Sequence, residues 1–160
     1  MAESKVQSRV LLISVFFVAA AGLVYELIAG TLATYLLGSS VTVFSIVIGV
    51  FLAAMGLGAW LAQFAQRALA NWFVVAELVL SLLGGLSALL LFVAYVFTQD
   101  GFPVVLGLIS VGIGALVGLE IPILLRIVEA GSSVRVAVSR VLAVDYVGAL
   151  LGSILFPLVL

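Results

Sequence analysis

Long apolar runs, separated by short segments rich in glycine, serine and charged residues, account for most of this sequence. Each run has about the 20 or more residues that an α-helix needs to cross the hydrocarbon core of a bilayer. The segments between the runs are too short to fold as a second, soluble domain. The pattern predicts a single all-α domain, a polytopic transmembrane helix bundle of about five spans, near residues 10–37, 42–65, 72–98, 103–128 and 141–160.

The first run begins like a signal peptide, because Lys5 and Arg9 precede its apolar residues. Its apolar pattern continues as far as Leu37, well beyond the roughly 7–15 apolar residues of a signal-peptide core. We therefore expect this run to be retained as the first membrane span.

Composition supports an integral membrane protein and limits its chemistry. Hydrophobic residues make up 66% of the chain and charged residues only 8%, against roughly 25% charged residues in soluble domains. The chain has no cysteine and no histidine, which excludes disulfides, Cys/His metal sites and catalysis by a Ser-His or Cys-His pair. We expect no metal, no cofactor and no nucleic-acid partner in this segment, and a lipid bilayer around it.

Basic residues follow the alternation of the predicted spans. All of them precede span one, follow span two, or surround the connection between spans four and five, whereas the connections near Ser39 and Asp100 have none. Because short cytoplasmic loops carry an excess of Lys and Arg, the pattern predicts a cytoplasmic N-terminus. The basic residues are Lys5, Arg9, Arg67, Arg126, Arg135 and Arg140.

Small residues recur at helical spacing within the spans, which predicts close contacts between helices. Glycine stripes alone are typical of simple helix packing, but four of the spans also contain an acid. The stripes are Gly22, Glu26, Gly30 and Thr34; Glu77, Ser81, Gly84 and Ala88; Gly107, Gly114 and Gly118; and Asp145, Gly148, Ala149 and Gly152.

An acid at the bilayer centre costs at least about 2.5–3.5 kcal/mol, so each of these acids needs a partner, a proton or water. Glu77 and Asp145 lie near the predicted cytoplasmic ends of their spans, where Arg126 and Arg140 are available. For Glu77 and Asp145 we predict a structural ion-pair cluster with these two arginines.

Glu26 has no such partner, because it lies roughly 24 Å along its span and no basic residue is placed at that depth. We therefore predict that Glu26 is the functional acid and is neutralised by a proton or by a cationic ligand.

Glu120 precedes Pro122, whose ring removes one helical hydrogen bond and frees the carbonyl of Gly118. Freed carbonyls beside a carboxylate favour a cation, but Pro122 is also explained as a simple helix kink. The sequence supports both interpretations of this segment equally.

Three stretches resemble the membrane-integrated spermidine synthases, which are bacterial polyamine aminopropyltransferases with an N-terminal membrane domain before a soluble catalytic domain. They are Tyr25–Leu61, Gly118–Ile127 and Ser139–Leu160. The resemblance implies a bacterial inner membrane location and a longer protein, with further membrane helix and a Rossmann-like domain that transfers an aminopropyl group from decarboxylated S-adenosylmethionine to a diamine. No catalytic residue is carried over to this segment.

Three functional hypotheses follow. In the first, Glu26, Glu120 and Tyr25 bind a cation, and the domain binds or passes polyamines for the attached enzyme. In the second, the domain is a passive anchor that also forms homo-oligomers. In the third, the chain is a small independent cation-coupled transporter, driven by protonation of Glu26.

Overall fold

The computed structural model describes residues 2–38, 40–98, 100–129 and 134–159, and within them it contains α-helices, one short 3₁₀ turn and no strand. Five of the helices are long and apolar enough to cross a membrane. The predicted class, an all-α bundle of about five transmembrane helices, is therefore confirmed. The elements are α1 (Ala2–Leu37), α2 (Ser40–Leu61), the 3₁₀ turn (Ala62–Phe64), α3 (Leu69–Phe97), α4 (Phe102–Glu129) and α5 (Val134–Val159).

All five long helices begin before the apolar runs that predict their spans, and for α3 and α5 this changes how far an acid lies inside the helix. Helix α3 begins at Leu69 instead of residue 72, and α5 begins at Val134 instead of residue 141. The charged residues at the start of α5 are exposed on the helix surface, so they do not prevent helix formation. Glu77 and Asp145 consequently lie roughly 12 Å and 16 Å inside their helices, deeper than the sequence indicates.

Helices α1 and α4 form the centre of the bundle. Each of them packs against the other and against α2, α3 and α5. Within the described residues, α3 and α5 do not pack against each other. Helices α3 and α5 therefore each pack on both central helices.

Helices α2 and α4 approach backbone to backbone through glycines. A methyl group added at Gly114 would lie 2.7 Å from the carbonyl oxygen of Phe51, and one added at Gly118 would meet the backbone of Met55. On the opposite side of the contact, Gly58 faces the carbonyl of Ala115. Small residues at these positions permit the close contact that stabilises helix pairs in lipid.

Helices α1 and α5 form a second close pair. Gly148 of α5 lies against the carbonyl of Phe16, and a methyl group added at Gly152 would lie 2.6 Å from the carbonyl oxygen of Ala20. The predicted glycine stripe of α5 is therefore a helix contact. The stripe of α4 is a contact only in part, because nothing lies within 4 Å of a methyl group added at Gly107.

The buried apolar side chains form two clusters at opposite ends of the bundle. One lies toward the α1–α2 and α3–α4 connections and includes Ala33, Leu91 and Phe102. The other lies toward the α2–α3 and α4–α5 connections and includes Ala65 and Val128. The acids lie between the two clusters.

Candidate functional site

Four acidic side chains, one from each of four helices, lie along the helices next to residues of the two apolar clusters; we call them the acidic layer. They are Glu26 of α1, Glu77 of α3, Glu120 of α4 and Asp145 of α5. Along each of these helices the acid follows, or lies between, buried residues of the two clusters. These residues are Val15 and Ala29 in α1, Phe73 and Leu80 in α3, Ile113 and Ile123 in α4, and Val141 in α5.

Glu120 is the most enclosed member of the acidic layer. Only 2% of its surface is exposed, and its Oε1 atom has no hydrogen-bond partner. A charge on Glu77 or on Asp145 would repel a charge on Glu120. The Oε1 atom of Glu77 is also buried without a hydrogen-bond partner. Among the described residues, no donor therefore satisfies these two oxygen atoms of Glu77 and Glu120.

Glu26 and Asp145 line the same small cavity, which we call the acidic cavity. Its volume is about 80 Å³, several times the roughly 10–15 Å³ that one water molecule needs. The rest of its wall is apolar. The other lining residues are Ala19, Gly22, Leu23, Phe51, Met55, Val117, Ile121 and Ala149.

Asp145 connects the two parts of the acidic layer. It lines the acidic cavity with Glu26, and it is also close to the buried Glu120. Its position results from the α1–α5 contact, because Gly148 lies one turn further along α5 and brings that face of the helix against α1.

The structure places Tyr25 on a different face of α1 from the acidic cavity. The ring of Tyr25 packs directly over Gly84 of α3, where any larger residue would collide with it. Tyr25 is not among the residues that line the acidic cavity. In this arrangement Tyr25 fixes the spacing between α1 and α3.

The arginines that the sequence pairs with Glu77 and Asp145 are placed elsewhere. Nη1 of Arg126 donates hydrogen bonds to the carbonyl oxygens of Ala62 and Ala65, each at 3.1 Å. Arg140 is exposed, and the part of the chain that the structure describes has no ion pair between either arginine and either acid.

Pro122 lies inside α4, which continues past it to Glu129. Because proline has no N–H group, the carbonyl of Gly118 lacks its usual helical donor. Gly118 is also the residue whose face lies against Met55 of α2. The segment from Gly118 to Pro122 therefore combines a close helix contact with a weakened hydrogen-bond ladder next to Glu120.

A larger cavity, of about 210 Å³, lies near the α1–α2 connection between α2 and α4. Its wall is almost entirely apolar, and it contains no acid. Ser110 lines it, and the Oγ atom of Ser110 is buried without a partner. This cavity therefore lacks the carboxyl groups that characterise the acidic layer.

Sequence analysis treats Glu26 and Asp145 separately, and the structure places both on the wall of one cavity. A signal for this was present, because each acid is followed within one turn by a glycine, Gly30 or Gly148. An acid and a glycine one turn apart share a helix face, so both acids face neighbouring helices. The sequence does not show that they line one cavity.

The fold and the acidic layer together define a class of protein: a polytopic α-helical membrane domain with acids on four of its helices. Curated relatives identify the family more closely. The chain is 49% identical over 148 residues to the polyamine aminopropyltransferase of Leptospira interrogans, and this match covers 92% of the chain. The chain is therefore related to an N-terminal segment of the polyamine aminopropyltransferase family, which confirms the resemblance found in its sequence.

Other relatives carry the same name. Polyamine aminopropyltransferase 2 of Ralstonia nicotianae is 48% identical over 155 residues, covering 96% of the chain. The polyamine aminopropyltransferase of Mycobacterium tuberculosis is 39% identical over 166 residues, covering 99% of the chain. The chain spans about 30% of the length of the first two relatives and 32% of the third. No family model and no solved structure matches it.

Proposed function

We propose that this chain is the membrane domain of a polyamine aminopropyltransferase in a bacterial plasma membrane, and that its acidic layer binds a polyamine. Two observations support the proposal: the names of the relatives, and the buried Glu120, whose charge is affected by Glu77 and Asp145.

The chemistry of the acidic layer suits a polyamine. Charged groups inside a membrane are costly unless they are paired, and the described residues provide no cation to the acids. An organic amine supplies ammonium groups that bond to carboxylates by charge-assisted hydrogen bonds. Its methylene segments suit the apolar wall of the acidic cavity, which includes Phe51, Met55 and Val117.

The single observation that carries the proposal is the buried, unsatisfied Oε1 atom of Glu120. A buried polar atom without a partner costs roughly 1–3 kcal/mol. Protein interiors normally satisfy such atoms, so a bound group is the simplest source of the missing hydrogen bond. Binding of an ammonium group beside Glu120 would satisfy this oxygen and reduce the repulsion from Glu77 and Asp145.

A passive anchor is the second candidate function. The close glycine contacts between α2 and α4 and between α1 and α5 favour it, because they give a rigid bundle without any ligand. A passive anchor does not require any of the four acids to be present as a charged carboxylate. Neutral replacements in the acidic layer therefore distinguish the two functions.

Calorimetry on the purified chain in lipid nanodiscs tests the proposal. We expect spermidine to bind, and we expect Glu120→Gln to weaken binding by about ten-fold or more, since it replaces an acceptor of a charge-assisted hydrogen bond. The matched control is Asp100→Asn, which removes a carboxylate at an exposed position outside the spans and should leave binding unchanged.

Thermal unfolding of each variant shows whether the fold survives the substitution. Absence of amine binding by a folded wild-type chain would leave the anchor as its function. Equal affinity of the wild type and of folded Glu120→Gln would remove the acidic layer from the binding site.

A further inference from the structure

We infer that the acidic layer consists of two subsites joined by Asp145, and that together they bind a linear triamine more tightly than a diamine. This inference rests on the proposed function and adds to it the number and placement of the charges that are recognised. The two subsites are the acidic cavity and the buried pair of Glu77 and Glu120.

The first subsite, the acidic cavity, lies among α1, α2, α4 and α5. Its two carboxyls belong to Glu26 and Asp145, and its remaining wall is apolar. A terminal ammonium group with its adjoining methylenes matches such a wall, because the charged end finds carboxylate acceptors and the methylenes contact side chains such as Met55.

The second subsite lies between α3 and α4. Glu120 and Glu77 each have a buried Oε1 atom without a hydrogen-bond partner, and their carboxyls are close to each other. Glu120 is 2% exposed, so a cation that binds here is removed from solvent. Asp145 of α5 is the other acid whose charge acts on Glu120.

Asp145 belongs to both subsites, since it lines the acidic cavity and is also close to Glu120. The ligand must therefore place one positive charge near Asp145 and others on either side of it. In the described part of the chain, no three acids lie close enough to hold one metal ion. Carboxyls spread in this way match several charges separated by apolar linkers, which is the structure of a linear polyamine.

The other charged groups near the acidic layer do not compete for this role. Helix α2 has no charged residue among Ser40–Leu61. Arg126 of α4 donates to the carbonyls of Ala62 and Ala65. The acids of the layer are therefore the groups that determine how many ammonium groups are bound.

A diamine engages Asp145 and the buried pair, whereas the third ammonium of a triamine reaches Glu26. This arrangement makes Glu26 a specificity residue and Glu120 a general binding residue. Loss of the Glu26 carboxylate should therefore affect the longer ligand alone, and loss of the Glu120 carboxylate should affect both ligands.

The test compares spermidine and putrescine by calorimetry on the chain in nanodiscs, as wild type, Glu26→Gln and Glu120→Gln. For wild type we expect spermidine to bind about ten-fold more tightly than putrescine, as one added charge-assisted hydrogen bond allows. In Glu26→Gln this preference should fall to within about three-fold while putrescine affinity is retained. In Glu120→Gln both affinities should fall about ten-fold or more.

Asp100→Asn is the control for loss of an acidic charge, and should preserve the preference for spermidine. Equal binding of the two amines by wild type, or equal losses for both amines in Glu26→Gln, would refute the two-subsite arrangement while leaving polyamine binding itself intact. If neither amine binds the folded wild type, both the inference and the proposed function fail. Glu26→Ala serves as a second variant if Glu26→Gln does not fold.

Discussion

Glycine positions in this chain differ sharply in what surrounds them. Gly118 faces the backbone of Met55, so even one added methyl group meets atoms that are held by a neighbouring helix. Gly56 is exposed, and nothing lies within 4 Å of a methyl group added there. The two residues belong to helices that pack together, but only one of them is in the contact.

Substitution by alanine at these two glycines should therefore affect stability differently. We expect Gly118→Ala to lower the free energy of unfolding by roughly 1–3 kcal/mol, because overpacking forces the α2–α4 backbones apart. Gly56→Ala should leave stability unchanged or raise it by up to about 1 kcal/mol, since alanine favours helix. Thermal unfolding in detergent compares the two variants. A Gly118→Ala protein as stable as wild type would show that α4 does not pack on α2 through this face.

At the level of elements, the end of α2 depends on a side chain from another helix. The chain leaves α2 through the 3₁₀ turn Ala62–Phe64, and Arg126 of α4 donates to two carbonyls in this segment. A cation near the last carbonyls of a helix also interacts favourably with the helix dipole. Ala68 then adopts a left-handed conformation, with φ at 51°, directly before α3. Arg126 thus holds the α2–α3 connection against α4.

Replacement of Arg126 should loosen this connection and leave the rest of the bundle folded. We expect Arg126→Gln to lower stability by about 1 kcal/mol, because two hydrogen bonds from a partly exposed charged donor are lost. Hydrogen exchange should become faster in the segment 62–68 and stay unchanged in α5. Arg140→Gln is the control, since Arg140 is exposed and forms no hydrogen bond or ion pair in the described residues. Equally fast exchange in both variants would contradict the role of Arg126.

For the whole molecule, the helix order determines which connections share a side of the membrane. The α2–α3 and α4–α5 connections lie at one end of the bundle and the α1–α2 and α3–α4 connections at the other. Arg67, Arg126, Arg135 and Arg140 all lie at the first end. This asymmetry is the basis of the predicted orientation, with the arginine-rich end in the cytoplasm.

Cysteine labelling tests the orientation directly, because the natural chain has no cysteine. In intact cells, an impermeant maleimide should label Asp100→Cys and should not label Gln66→Cys. Both positions are exposed and lie in connections at opposite ends of the bundle. Permeabilised cells provide the control, since both variants should then be labelled. The reverse pattern in intact cells would place the N-terminus outside.

Much of the fold was predictable from the order of apolar residues. In a bilayer every backbone N–H and C=O group needs an internal partner, so a long apolar run has little alternative to a helix. The number of helices and the contacts of Gly114 and Gly148 follow from this constraint and from the spacing of small residues. Helix ends were less predictable, because exposed arginines such as Arg135 and Arg140 are compatible with both a helix and a loop.

The arrangement of the acidic layer could not be predicted from the sequence of any one helix. Helical spacing shows which residues share a face, so Glu26 and Asp145 were each recognisable as acids next to glycines. Their common cavity results from the packing of α1 on α5, and the enclosure of Glu120 results from the position of α4 at the centre of the bundle. Contacts between distant segments depend on which helices become neighbours. That choice arises from the packing of all five helices together, so a local pattern within one helix does not contain it.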